Sequence, residues 1–194
     1  MRKLLVTTAL LGAALAPAAA SAADPVRSDF KNAAKYCKAL KAASGSNFAS
    51  LYGTKKNAYG KCVSSTAKKR ATEDEKQAKA AKANAAKECK AERDDAGFAA
   101  AHGGKTFEQF YGTNKNGKNA YGKCVSTKAK AKKDAADDED SAEQEDRVNA
   151  AKSCKKAKKD DPDAFADAYG TKRNAFGKCV SRTAKTLEAE RKAA

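Results

Sequence analysis

The chain has 194 residues, with 40 Lys and Arg against 24 Asp and Glu, a single His and a formal net charge of +16. Hydrophobic residues make up 41%, but much of that is alanine, and beyond residue 22 the large apolar side chains are 7 Phe, 6 Tyr, 5 Val and 3 Leu. This excludes one large core, because Leu, Ile, Val and Phe fall far below the roughly 20% under which a charged chain defaults to disorder, and it excludes a membrane span beyond the N-terminal segment, since no other apolar run approaches about 18 residues.

Residues 1–22 read as a secretory signal. Arg2 and Lys3 give a positive start, Leu4 to Leu15 an apolar stretch, and Ala20-Ser21-Ala22 a small-residue cleavage site. Removing it leaves a net charge of +14. No cysteine follows the site and no apolar segment ends the chain. The expectation is therefore a protein secreted or associated with the cell envelope, extracellular or periplasmic, with no membrane span.

The rest of the chain is one pattern written three times. Repeat 1 covers 28–70 and opens with Asn32-Ala33-Ala34-Lys35-Tyr36-Cys37-Lys38. Ala33, Tyr36, Cys37 and Leu40 recur at spacings of three and four, which predicts a helix. Phe48 and Tyr52 then stack one turn apart in a short helix, which Gly53 closes. Asn57 is placed to cap a third helix, on which Tyr59, Cys62, Val63 and Thr66 share a face. Gly60 inside that helix costs about 0.5–1 kcal/mol relative to alanine. Its return as Gly122 and Gly177 predicts that another backbone or ring packs closely against it.

A helical spacer occupies 71–83, and repeat 2 covers 84–130. Asn84 to Lys90 repeats the first block, Phe107 and Tyr111-Gly112-Thr113 the second, and Asn119 to Ser126 the third, with Tyr121 in place of Tyr59. Ten extra residues, divided between the two sides of Tyr111, bring in Gly103-Gly104 and Asn116-Gly117. A charged helical spacer occupies 131–148. Repeat 3 covers 149–186: Asn149 to Lys155, then Phe165 and Tyr169-Gly170-Thr171, then Asn174 to Ser181 with Phe176 replacing the tyrosine. Asp161-Pro162 gives its middle helix a capping residue and a first-turn proline. Residues 187–194 form a C-terminal tail.

Each repeat holds two cysteines, 25 apart in repeats 1 and 3 and 35 apart in repeat 2. The insertions leave the two anchor points of the pattern in place. Of the 15 connectivities open to six cysteines, repeat symmetry selects Cys37–Cys62, Cys89–Cys124 and Cys154–Cys179 in an oxidising compartment. Neither CxxC nor a recurring histidine is present, so no metal site and no cofactor is expected.

Between the repeats no glycine or proline appears from Lys61 to Ala96 or from Lys123 to Asp161. The third helix of one repeat is therefore expected to run into the first helix of the next, from Asn57 to Asp95 over about 58 Å. With no large apolar stripe, a coiled coil is not expected. The fold class expected is all-α: three small disulfide-stapled helical repeats joined by long Ala/Lys/Glu-rich helices, with partly disordered ends. Phe48, Tyr52, Tyr59, Phe107, Tyr111, Tyr121, Phe165, Tyr169 and Phe176 supply three small cores.

Charge is divided by the same modules. Residues 23–71 carry +9, 97–133 carry +7 and 149–194 carry +6, while 134–148 carry −7. His102 lies in an insertion of one repeat only, and no phosphate-binding glycine loop is present, so the reading is not an enzyme. The repeated basic residues Lys55, Lys56, Lys61, Lys115, Lys118, Lys123, Lys172, Arg173 and Lys178 point to an anionic polymer: a cell-wall polymer, an acidic polysaccharide or extracellular nucleic acid. The alternative is a structural or protein-interaction scaffold that uses the Phe/Tyr/Gly surface of the repeats.

Overall fold

The structure, a computed structural model, describes residues 27–53 and 56–194; the expected signal at 1–22 and Lys55 lie outside them. Among the described residues the chain is helical with no strand. A 3-10 turn at Arg27–Lys31 leads to α1 (Ala33–Ser44), whose N-cap Asn32 accepts from the backbone of Ala34 and Lys35. Helix α2 (Phe48–Tyr52) ends at Gly53, where a φ of 94° calls for glycine. Then come α3 (Ala58–Asp94), α4 (Phe98–Ala101) and α5 (Phe107–Tyr111), the last started by a Thr106/Gln109 capping box. Helices α6 (Ala120–Asp160), α7 (Pro162–Tyr169) and α8 (Ala175–Ala193) complete the chain. Asp161 caps α7 by accepting from Ala164, with Pro162 in the first turn.

Helices α3 and α6, of 37 and 41 residues, form an antiparallel hairpin about 55–60 Å long. Cys89–Cys124 joins them at the turn, Gln77 donates to Asp140 at 3.1 Å and Arg70 to Gln144 at 2.7 Å. The spacers need no large apolar stripe to pair. Ala81 and Ala85 of α3 and Ser141 and Ala142 of α6 are buried, and such small side chains let helices approach closely. Lys128–Glu92 and Lys132–Glu88, both 2.8 Å, flank the seam. The spacers are thus the continuous helices that their Ala/Lys/Glu content suits, and they pack on each other.

At the end of the hairpin away from its turn, α1 and α8 pack against the second half of α6. Cys37–Cys62 sets α1 antiparallel to the start of α3, and Cys154–Cys179 sets α8 antiparallel to α6. Lys31–Asp138 at one end of α1 and Lys158–Asn47 beyond the other show that α1 runs parallel to α6. One core results, from Phe30, Tyr36, Leu40, Phe48, Val148, Phe165, Phe176 and Val180 with both disulfides. A second, smaller core holds Cys89, Phe98, Phe107, Ala120 and Cys124.

The expected three cores are therefore two. Repeats 1 and 3 share one because Tyr36 and Leu40 give α1 an apolar face that repeat 3 covers. The matching positions of repeat 2 are Glu88 and Glu92, which pair with lysines and leave no such face. Repeat 2 draws its apolar partners from its own insertion, where Phe98 packs 5.5 Å from Phe107 between ring centroids.

Four further expectations are corrected. Tyr59 and Tyr121 are not core: they are 39% and 37% exposed, because their hydroxyls donate to the carbonyls of Ala34 and Ala86, each at 3.1 Å. Phe176, without a hydroxyl, turns fully into the shared core. Asn57, Asn119 and Asn174 precede helices but make no side-chain capping bond; Asn119 instead ties down the loop by bonding the backbone and hydroxyl of Thr113. No backbone or ring presses on Gly60, Gly122 or Gly177: a Cβ at Gly60 would meet only Asn57 at 3.6 Å, and at Gly122 nothing within 4 Å. Finally, 187–194 is no separate tail, since α8 runs unbroken from repeat 3 to Ala193 and Arg191 bonds Glu139 and Asp146.

With so small a core in repeat 2, its disulfide is decisive. Closing a loop with a sequence separation of 35 is worth about 4 kcal/mol on the chain-entropy model. The double substitution Cys89→Ser/Cys124→Ser should open residues 98–119 to amide hydrogen exchange while α1 and the start of α8 stay protected. Unchanged exchange in 98–119 would count against this division into two cores.

Candidate anion-binding surface

The hairpin sorts the repeated basic residues into two groups. Arg173 donates to the carbonyl of Gly53, and Leu51 of α2 meets Gly177 of α8, so the corresponding loops of repeats 1 and 3 lie side by side. Lys56, Lys61, Lys172, Arg173 and Lys178 therefore gather at one end, all exposed. Lys115, Lys118 and Lys123, also exposed, lie at the other end on the loop into α6 and its first turn. The 27-residue step from Cys62 to Cys89 on α3 separates the two groups by about 40 Å. Helices α3 and α8 begin at the first end, where α1 and α6 finish, and α6 begins at the second, where α3 finishes, so helix dipoles offset one another at both and the positive charge is that of the side chains. None of these eight side chains pairs with a carboxylate among the described residues.

The acidic run between the ends is consumed inside the molecule. Asp134 takes Lys130 at 3.1 Å, Asp137 takes Lys133 at 2.8 Å and Asp138 takes Lys31 at 3.1 Å. Arg191 holds Glu139 through both terminal nitrogens and Asp146 through Nε at 3.1 Å. Hydrogen bonds from Arg191 and Lys192 push the Glu139 carboxyl down to about 2, against partial burial. The 134–148 charge thus locks α8 and the start of repeat 1 onto α6, and the basic ends keep theirs.

Sequence reasoning missed a second lysine set. Lys152, Lys155, Lys156 and Lys159 rim a groove of about 530 Å³ between α1 and α6, floored by Ala39, Ala42, Ala43 and Val148. The run Lys155 to Lys159 was legible as charge; that α1 would lie beside it was not. Lysines in the last turn also complement the carbonyl end of α6. In repeat 2 the second block ends differently: Gly112 is extended, and a Cβ there would stand 2.3 Å from the Glu108 carbonyl, so glycine is required by close approach.

The remaining polar groups are engaged in packing. Tyr111 donates to Glu92 at 2.9 Å; although burial opposes it, hydrogen bonds from Lys128 and Tyr111 hold the Glu92 carboxyl below its usual range. Burial pushes the phenols of Tyr36 and Tyr52 up. They border a polar cavity of about 260 Å³ with Arg70, Arg147, Asp140 and Glu143, in which the charges balance. His102 stacks on Phe98 with centroids 3.9 Å apart, its Nδ1 2.8 Å from the Phe98 carbonyl. Among the described residues, Glu139, Glu143 and Glu188 are close enough to share a cation, but Arg191 and Lys192 already hold Glu139, and Lys192 holds Glu188.

The Glu139 shift fixes a pH dependence. A carboxyl depressed in the folded state adds stability above its unfolded value near 4.5, and this is lost as pH falls toward about 2. Exchange protection at the end of α8 should therefore hold to about pH 4.5 and fade below it; in Arg191→Ala the protection should be weak at neutral pH as well. Identical acid profiles for the two proteins would contradict the assignment.

The chain matches no protein-family model, no curated protein and no solved structure.

Proposed function

We propose that this is an exported, non-enzymatic binding protein that holds an anionic polymer at two basic ends of a stiff helical rod. The candidate ligands are envelope polymers, acidic polysaccharides and extracellular nucleic acid, which share closely spaced negative charges. The observation that carries the reading is the division of charge. Much of the acidic run is paired with the chain's own Lys31, Lys130, Lys133, Arg191 and Lys192, while eight repeated basic side chains stay exposed at the two ends with no carboxylate partner among the described residues. Apart from Arg173, which bonds the Gly53 carbonyl, those residues add little to folding, since even paired charges at an exposed surface contribute little to stability. Their recurrence in register with the cysteines argues for a role outside the fold.

Three disulfides fit an oxidising compartment, and no described helix is long and apolar enough to cross a membrane. The disulfides support export, together with the signal read at 1–22. Two weak sites joined by a rod of fixed length gain affinity by acting together on one long ligand. The alternative, a protein-interaction scaffold, draws on a different observation: Phe110, Tyr59 and Tyr121 are the exposed large hydrophobic residues among those described.

Binding to heparin or duplex DNA should weaken steeply with salt. Eight phosphate contacts on DNA would give a slope near about −7 in log K against log salt. Charge reversal of Lys115, Lys118 and Lys123 should lower affinity for a long polyanion by about a hundredfold or more, because only one end can still engage. A flat salt response, with or without binding, would refute the electrostatic reading and favour the scaffold.

A further inference from the structure

Repeats 1 and 3 meet through a contact that repeat 2 is also equipped to make. Leu51 of α2, the residue before the tyrosine of the second block, rests on α8 with its Cδ2 3.7 Å from where a Cβ of Gly177 would stand. Repeat 2 has Phe110 at the position of Leu51 and Gly122 at that of Gly177. Neither is covered. Phe110 is 45% exposed, held with its ring centroid 4.5 Å from His102 and 5.8 Å from Phe98. Gly122 faces open space.

Gly122 lies in a groove of about 700 Å³ between α3 and α6, floored by Ala86, Val125 and Ala129 and rimmed by Lys82 and Lys133. Helix α5, with the sequence FEQFY, carries one acid and no base. That acid, Glu108, is exposed and pairs with no cation among the described residues. Its charge complements Lys82 on the groove rim, Lys133 being held by Asp137. Within one chain α5 does not reach the groove, because nothing lies within 4 Å of Gly122.

We propose that a second copy of this chain fills the groove, with α5 of one copy lying between α3 and α6 of another and Phe110 seated on Gly122. Closure with two-fold symmetry makes both contacts at once. The glycine, which the single chain does not need at this position, then has a reason: any side chain there would lift the incoming ring. Because two basic ends are brought together, added salt strengthens the pair, the opposite of its effect on polyanion binding.

Sedimentation velocity on the full disulfide-bonded chain, over a concentration series at low and high salt, tests this. A monomer–dimer equilibrium favoured by salt is expected. Phe110→Ser and Gly122→Leu should each weaken it about tenfold or more, the scale of one buried aromatic side chain. Gly122→Leu replaces a poor helix former in open space, so it should melt no lower than the parent while failing to associate. Gly60→Leu, at the corresponding open position of repeat 1, should leave association unchanged. A chain that stays monomeric at every salt, whatever else the groove accepts, overturns the proposal, as does a dimer that both repeat 2 variants leave intact or that salt dissolves.

Discussion

Shortage of apolar surface is the constraint on which the rest of this molecule depends. With 21 large apolar side chains beyond residue 22, the chain concentrates them in two places and fixes each with covalent bonds. Cys37–Cys62 and Cys154–Cys179 sit inside the larger core beside Leu40, Phe176 and Val180, and Cys89–Cys124 forms much of the smaller one. Between the two cores nothing bulky is available. There the hairpin relies on alanine, whose helix propensity is the highest of any residue, and on the close approach that alanine permits. Long helices are the economical solution, since their backbone hydrogen bonds are satisfied locally wherever side-chain burial is sparse.

Charge then completes what packing leaves undone. The acidic run at 134–148 meets basic side chains from three directions: the N-terminal turn through Lys31, its own helix through Lys130 and Lys133, and the end of α8 through Arg191 and Lys192. Single exposed pairs of this kind contribute little. The Arg191 cluster differs because one guanidinium serves two carboxylates, one of them on the buried Asp146. The outcome is a rod with a neutralised middle and two positive ends, held apart by the length of α3.

Much of this could be read from the residues. The end points Asn57 and Asp95 come from the absence of glycine and proline through the long spacer, and α3 fills that interval. Asp161-Pro162 announces α7, and the second-block glycines Gly53 and Gly170 close α2 and α7 with positive φ. Sequence periodicity could not supply which repeat packs on which. Tyr36 and Leu40 against Glu88 and Glu92 are the residues that decide it, and their meaning appears only when α1 is set beside α6. Tyr59 and Tyr121 depart from their helical pattern for a related reason: spacing marks a face, while the phenol hydroxyl pulls the ring toward a carbonyl at the surface. Of the candidate site, the basic residues were legible one repeat at a time. Their division into two ends, five from two neighbouring repeats and three from the other, depends on tertiary structure.

The most direct test of the central claim is the affinity of the protein for a length series of heparin oligosaccharides. Two basic ends on a rod predict weak binding for short chains, then a rise of about a hundredfold or more once a chain spans roughly 40 Å. Affinity that grows smoothly with length and shows no step at that span would contradict the two-ended rod.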